Sequence, residues 1–214
     1  MNIYMRRVVQ SGWGMLFLLS LRLCGAAERD AANGSPEASL PEDLFHSGRY
    51  EAAFINGVFF SPFGPTHNRP TINYTYTGLQ LGYMLGDVKG DGWRRGNFEV
   101  AGEAFGSAIL DGAGTYISGG TLWLRYNIVP RGFSALVPFA QAGAGMVSTD
   151  IDHDVVGEPF NFNLDLSLGV RYFVGRNWSI NLEYRYQHIS NADLGRHNLG
   201  INADGPFLGV SYFF

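Results

Sequence analysis

From Gly48 to the C-terminus, apolar and polar residues alternate with a period of two. The clearest run starts at Phe160. Phe160, Phe162, Leu164, Leu166, Leu168 and Val170 take the even positions, and Asn161, Asn163, Asp165, Ser167, Gly169 and Arg171 the odd ones. Period two is the side-chain repeat of a strand, whereas a helix would scatter those leucines around its axis. The run also outlasts the ordinary strand of about five or six residues. The next segment repeats the signal, with Trp178, Ile180, Leu182, Tyr184 and Tyr186 set against Ser179, Asn181, Glu183, Arg185 and Gln187. Leu122, Leu124, Tyr126 and Ile128 alternate with Thr121, Arg125 and Asn127, although Trp123 joins the polar set. The pattern predicts eight strands, over 49–61, 71–86, 96–108, 115–129, 133–148, 160–175, 177–190 and 203–214. Segment 71–86 reads as changing phase near Gly78, which predicts a bulge or a glycine kink there.

The polar face decides which way the sheet is turned. It carries Glu99, Glu103, Asp165 and Glu183 together with Arg125, Arg171 and Arg185. Acids and bases in such numbers can pair inside a narrow lumen, while the other face forms an aliphatic and aromatic band. Apolar outside and polar inside is the pattern of a transmembrane barrel. Eight strands enclose a space that side chains just fill. The expected fold is therefore all-β: an eight-stranded antiparallel transmembrane β-barrel with a polar interior filled by side chains. A soluble lipocalin-like barrel is the alternative, but its apolar face would line a ligand cavity and its exterior would carry more charge.

Turn lengths add a topology. The connections at "PRG" (130–132) and "GRN" (175–177) are short, and "TDIDHDVVGEP" (149–159) is longer. Short turns belong on the periplasmic side and longer loops outside, so both termini are expected in the periplasm. The connection "GDVKGDGWRRG" (86–96) fits this rule less well.

Composition excludes other classes. Apolar residues make up 46% of the chain and charged residues only 16%, too hydrophobic for disorder. No internal run of about 18 apolar residues exists, which excludes a bundle of membrane helices. The first 27 residues read as a secretory signal: Arg6 and Arg7, then the apolar "GWGMLFLLSLRL", then Gly25, Ala26 and Ala27 before an expected cleavage. A retained anchor helix is the alternative. The lone cysteine, Cys24, lies within this segment after Leu23, a poor lipoprotein box, so neither a lipid anchor nor a disulfide is expected. Loss of Arg6, Arg7 and Arg22 with the signal takes the formal net charge from −4 to −7, against a nucleic-acid partner. Residues 28–47 lack periodicity and read as a flexible leader. The barrel is assigned to 48–214, ending in "FLGVSYFF". A terminal phenylalanine, Phe214, after alternating residues resembles the signal by which the outer-membrane assembly machinery recognises barrel proteins.

Candidate chemistry lies in "YRYQHISNADLGRHNLGIN" (184–202). The parity of the preceding strand carries His188 and Ser190 onto its lipid-facing side, near one rim. A lone histidine there reads as a rim residue reaching the headgroups. A histidine and a serine two residues apart share a face at about 6.6 Å of rise and are the minimum apparatus of nucleophilic acyl transfer. Facing lipid makes sense if the substrate is a lipid. No metal-ligand spacing stands out and no cofactor is expected. His46, His67, His153 and His197 are scattered and read as solvated.

The run His188-Ile-Ser190-Asn191-Ala192, followed by Asn198-x-Gly200-Ile201-Asn202, resembles the signature of the PagL-type lipid A 3-O-deacylases. The resemblance implies an outer-membrane barrel that hydrolyses the ester-linked acyl chain at the 3-position of lipid A, with its site on the outer surface near the extracellular leaflet. It implies Ser190 as nucleophile and His188 as base, with Asn191 the candidate oxyanion donor alongside backbone amides beyond it. The family's histidine-orienting glutamate corresponds to Asn202. An amide oxygen can still accept from the imidazole N–H and set its tautomer, but it stabilises the imidazolium less than a carboxylate. Asp193 and Asp204 are alternative third members, and Pro206 leaves the parity of Asn202 open. Two other readings stand beside this one: a non-enzymatic barrel serving adhesion or envelope integrity, and a lipid A acyltransferase, which would need an apolar interior pocket.

Overall fold

The computed structural model describes residues 41–61, 71–132, 135–151, 153–195 and 197–214. Eight strands follow one another: β1 (Tyr50–Phe59), β2 (Asn73–Met84), β3 (Gly96–Asp111), β4 (Tyr116–Ile128), β5 (Leu136–Thr149), β6 (Phe160–Phe173), β7 (Trp178–Ser190) and β8 (Ile201–Phe213). Each pairs antiparallel with the next, and β8 closes on β1 to complete the barrel. One short helix, α1 (His153–Val156), lies between β5 and β6. The expected transmembrane β-barrel is the observed fold, and closure leaves no sheet edge unpaired.

Alternation sorts the two faces as expected. Leu79, Leu122, Leu164, Leu168, Leu182 and Leu208 are exposed on the outer wall. Outward aromatics gather at the end where β1 begins and β8 finishes. Tyr50 meets Tyr83 at 5.1 Å, Phe98 meets Tyr126 at 4.8 Å and Trp178 meets Tyr212 at 4.8 Å between ring centroids. Phe214 stacks on Tyr50 at 5.7 Å, and backbone bonds join the two residues. Such a girdle suits amphipathic rings at a membrane–water boundary.

The interior is filled in three tiers. In the middle, every charged residue expected on the polar face is buried, and Glu51 joins them. Arg125 donates from Nη1 to Glu51 at 3.0 Å and Glu99 at 2.9 Å, and from Nε to Gln141 at 2.7 Å. Arg171 bonds to Glu51, Glu99 and Asn127. Arg185 forms a fork with Glu103 at 2.9 and 3.2 Å and donates from Nε to Glu183 at 2.9 Å, with its guanidinium 5.0 Å above the Trp123 ring. Buried charges are costly unless paired and hydrogen-bonded: the three arginines pair with Glu51, Glu99, Glu103 and Glu183, whereas Asp165 is held by hydrogen bonds from Asn163 and from Gln187 at 2.8 Å. Apolar tiers close both ends. Phe59, Tyr74, Tyr76, Phe105 and Phe207 fill the loop end beneath Val155 and Val156 of α1, and Phe45, Met84, Val137 and Phe213 fill the opposite end, where β1 begins. The interior is thus polar at its centre and apolar at its mouths.

Three sequence expectations need correction. No phase change occurs near Gly78. Inward burial continues through Tyr74, Tyr76, Gly78, Gln80, Gly82 and Met84, and the register of β2 against β1 is unbroken. Its register against β3 shifts at Asn73/Tyr74 instead. The inner face simply turns aromatic where the lumen does: Tyr74 donates to Gln187 at 2.8 Å, and Tyr76 donates to Glu103. The leader does not extend to residue 47, because Pro41–Leu44 forms a 3-10 turn and Leu44 and Phe45 are buried in the barrel mouth. Strand β8 begins at Ile201, not at residue 203, because Ile201 and Asn202 still pair with Ile189 and His188. The expected signal segment and the rest of the leader fall outside the described residues, as does His67.

Candidate active site

Strands β7 and β8 bring two of the expected residues together. His188 and Asn202 are directly opposed across the pair, and the imidazole Nδ1 lies 2.6 Å from Asn202 Oδ1. A carbonyl oxygen can only accept, so Nδ1 carries the hydrogen, and in the neutral ring the lone pair is on Nε2. That is the tautomer a general base requires. Pro206 does not disturb the geometry, since β8 passes through it in unbroken register, with Pro206 opposite Tyr184.

Ser190 is the last residue of β7, opposite Phe162 on β6, and His188 is opposite Leu164. Both share the outward parity of Leu182, Tyr184 and Tyr186, and both are half-buried. Among the described residues, Ser190 Oγ is not hydrogen-bonded to the imidazole. Catalytic bonds of this kind are often long before substrate binds.

The remaining expected residues sit elsewhere. Asn191 turns inward and is buried, and its amide donates to the carbonyls of Val156 at 2.9 Å and His197 at 2.8 Å. With both amide hydrogens engaged, its side chain pins the loop after Ser190 to α1 and has no donor left for an oxyanion. Leu199 and Gly200 add backbone bonds to Val155. Asn198 accepts from the backbone N–H of Asn191 at 3.2 Å and donates to Asp193 at 2.7 Å. Ala192 and Asp193 have left-handed backbones, with φ of 54° and 61°, so the chain turns sharply just past Ser190. Asp193 is therefore tied into the loop. Asp204 is opposite Tyr186 and accepts from the Tyr184 hydroxyl at 2.8 Å, so neither acid touches His188. Of the scattered histidines, His46 bonds to the Ser47 carbonyl at 3.0 Å, and His153 begins α1.

Sequence reasoning missed the role of Tyr184, which alternation counts only as part of the apolar band, and the loop-pinning role of Asn191. It also missed a shallow groove of about 590 Å3 on the outer wall. Ala140 and Ala142 of β5 form its floor, and Leu124, Leu166 and Leu168 rise beside it from β4 and β6. Tyr184 and Tyr186, the outward residues of β7 just before His188, line its other side. The run of alanines between leucine-bearing strands was a legible signal for it.

A family model described as lipid A 3-O-deacylase (PagL) matches residues 75–211, which include the whole of this site. The chain belongs to this lipid A deacylase family. Among solved structures, it is similar to the outer membrane enzyme PagL at 17% identity, covering 74% of this chain and 97% of that one, with a TM-score of 0.52. It is as similar to Neisserial surface protein A, at 16% identity over 78% and 98% of the two chains with a TM-score of 0.54. The N-terminal barrel of Pseudomonas aeruginosa OprF follows, at 17% identity over 78% and 98% with a TM-score of 0.51. At such identities the likeness is one of fold. No curated protein matches the chain.

Proposed function

We propose that this family member hydrolyses the ester-linked acyl chain at the 3-position of lipid A, by a serine–histidine mechanism, in the bacterial outer membrane. The observation that carries this reading is the His188–Asn202 pair beside Ser190 on the lipid-facing wall. A base of defined tautomer next to a hydroxyl has no structural purpose in a hydrocarbon belt, where polar groups are costly.

In the proposed reaction, Ser190 Oγ attacks the ester carbonyl and its proton passes to His188 Nε2. Asn202 keeps the proton on Nδ1 and orients the ring. Backbone amides in the turn beyond Asn191 are the proposed oxyanion donors. The tetrahedral intermediate collapses, the sugar oxygen takes the proton from His188, and the acyl chain remains on Ser190. Water, deprotonated by His188, then releases the fatty acid and restores the serine. The groove over β5 supports the reading, because it offers an acyl chain an apolar channel beside the site. No cofactor or metal enters this scheme.

The wider assignment is part of the same proposal. Residues 1–27 direct export, the C-terminal strand ending at Phe214 is read by the outer-membrane assembly machinery, both termini face the periplasm, and the site lies near the extracellular leaflet. The transferase reading is less supported, because it needs an interior acyl pocket and, among the described residues, buried side chains fill the barrel. The test is mass spectrometry of lipid A from cells with and without the intact protein. Loss of one 3-hydroxyacyl chain from the 3-position supports the proposal, and unchanged lipid A favours the non-enzymatic barrel.

A further inference from the structure

The turn between β2 and β3 is long for its rim of the barrel. Strand β2 ends at Met84 and β3 begins at Gly96, whereas residues 174–177 alone join β6 to β7. The turn is held in place. Lys89 and Gly96 exchange backbone bonds of 2.9 Å, and Arg95 donates from Nη1 to the Val129 carbonyl at 2.8 Å and pairs with Glu42. Its neighbour Arg94 is exposed instead, and the Arg94 carbonyl accepts the Tyr126 hydroxyl at 2.5 Å. The Arg94 guanidinium carbon lies 5.6 Å from the centroid of the Trp93 ring, which is 79% exposed. So exposed an indole buries little within the turn itself, but an indole beside an arginine suits the headgroup level of a membrane. Tyr126 ties this turn to the groove on the outer wall, which crosses the wall obliquely. On β7 the groove is lined by Tyr184 and Tyr186, well along the strand from its start at Trp178, and on β3 and β4 by Phe98 and Tyr126 of the aromatic girdle. One end therefore opens toward His188, and the other lies at the foot of the Trp93–Arg94 turn.

We infer that the girdle end of this groove binds a glycerophospholipid of the periplasmic leaflet: its phosphodiester meets Arg94, Trp93 lies beside the headgroup, and one acyl chain runs along Tyr126, Leu124 and Ala140. Charge complementarity selects the occupant. An apolar trough that ends at an exposed cation matches an amphiphile with an anionic head. Shape agrees with charge. The alanine floor is recessed between leucine-bearing strands, so a second barrel would rest on the leucines and leave the recess without contacts, whereas a single acyl chain fills it. The choice of leaflet follows from the membrane orientation proposed above, and the site itself does not depend on the serine–histidine reading. The scissile chain of that reading enters from the His188 end, so the two lipids approach the groove from opposite leaflets.

The test titrates the protein, refolded in detergent micelles, with phosphatidylglycerol and counts bound lipid by native mass spectrometry. It compares wild type, Arg94→Gln, the double variant Ala140→Leu/Ala142→Leu, and Leu208→Ala, a control on the exposed face of β8. Heat-modifiable gel mobility verifies that each is folded. Wild type is expected to retain one phospholipid more tightly than any further copies. Arg94→Gln should weaken that first site about fivefold, the contribution of one cation at a lipid surface. The double variant should weaken it about tenfold, since the added side chains displace the acyl chain and cost it the burial of about two methylenes. Leu208→Ala should bind as wild type does. Equal first-site affinity in wild type and Arg94→Gln overturns the inference, and so does equal affinity in the folded double variant. Should the doubly substituted wall not fold, Arg94→Gln decides alone. Lipid A offered in place of phosphatidylglycerol should show no dependence on Arg94, and an equal dependence would overturn the choice of a phospholipid. Binding is read without turnover, so a protein that hydrolyses nothing would sink the proposed function and leave this result standing.

Discussion

His188 Nδ1 and Asn202 Oδ1 lie 2.6 Å apart across the last strand pair of the barrel. The contact sets the tautomer of the imidazole but contributes no formal charge. Asn202→Ala is therefore expected to slow hydrolysis by about ten- to a hundredfold, less than loss of the base itself. Asn202→Glu should preserve or raise the rate. Release of 3-hydroxy fatty acid from lipid A in mixed micelles measures both.

Ser190→Ala and His188→Ala should each abolish release and leave folding intact, since half-buried rim residues contribute little to stability. Heat-modifiable gel mobility reports the folded barrel. Full hydrolysis by Ser190→Ala would remove the nucleophile assignment.

Glu183 accepts from Arg185 Nε at 2.9 Å, Ser167 Oγ at 3.0 Å and Gln141 Nε2 at 3.1 Å, all inside the barrel. Glu183→Leu strips these donors of their acceptor and should destabilise the fold by about 3 kcal/mol. The denaturant midpoint should drop while activity per folded molecule stays constant, because the network lies on the opposite face of β7 from the site.

Gly57 of β1 is opposite Phe207 of β8, and a Cβ at Gly57 would sit 2.4 Å from the Phe207 ring. That ring is buried against Phe59 and Tyr76. Gly57→Ala should cost about 1–3 kcal/mol through overpacking, read as a lower unfolding midpoint. Unchanged stability would mean that the aromatic tier is loosely packed.

Asp150, just beyond β5, latches the β3–β4 turn. The Thr115 hydroxyl at 2.5 Å and the backbone amides of Thr115 at 2.7 Å and Tyr116 at 3.0 Å all donate to its carboxylate and hold its pKa down at about 2. A depressed acid stabilises above its ordinary value of 3.8 and loses that contribution as the pH falls through about 2. The Thr115 and Tyr116 amide signals should accordingly titrate with a midpoint near the lower value and stay flat over that range in Asp150→Asn. A midpoint near the ordinary value would show that the latch is not formed.

Alternation alone settled the strand count, the inward charges and the outward parity of His188 and Ser190, because the side-chain period of a strand is a local property of the backbone. The same rule failed at Tyr74 and Tyr76, where the lumen is aromatic and polarity no longer marks the inner face. What the tertiary structure decided depends on register between strands far apart in sequence. Register put Asn202, not Asp193 or Asp204, against His188, extended β8 back to Ile201, and brought Asp204 within reach of the Tyr184 hydroxyl. Closure of the barrel turned Asn191 inward onto α1, and burial drew Phe45 into the mouth as part of the fold. A one-residue slip in pairing would reverse each of these contacts while leaving the hydrophobic pattern of every single strand unchanged.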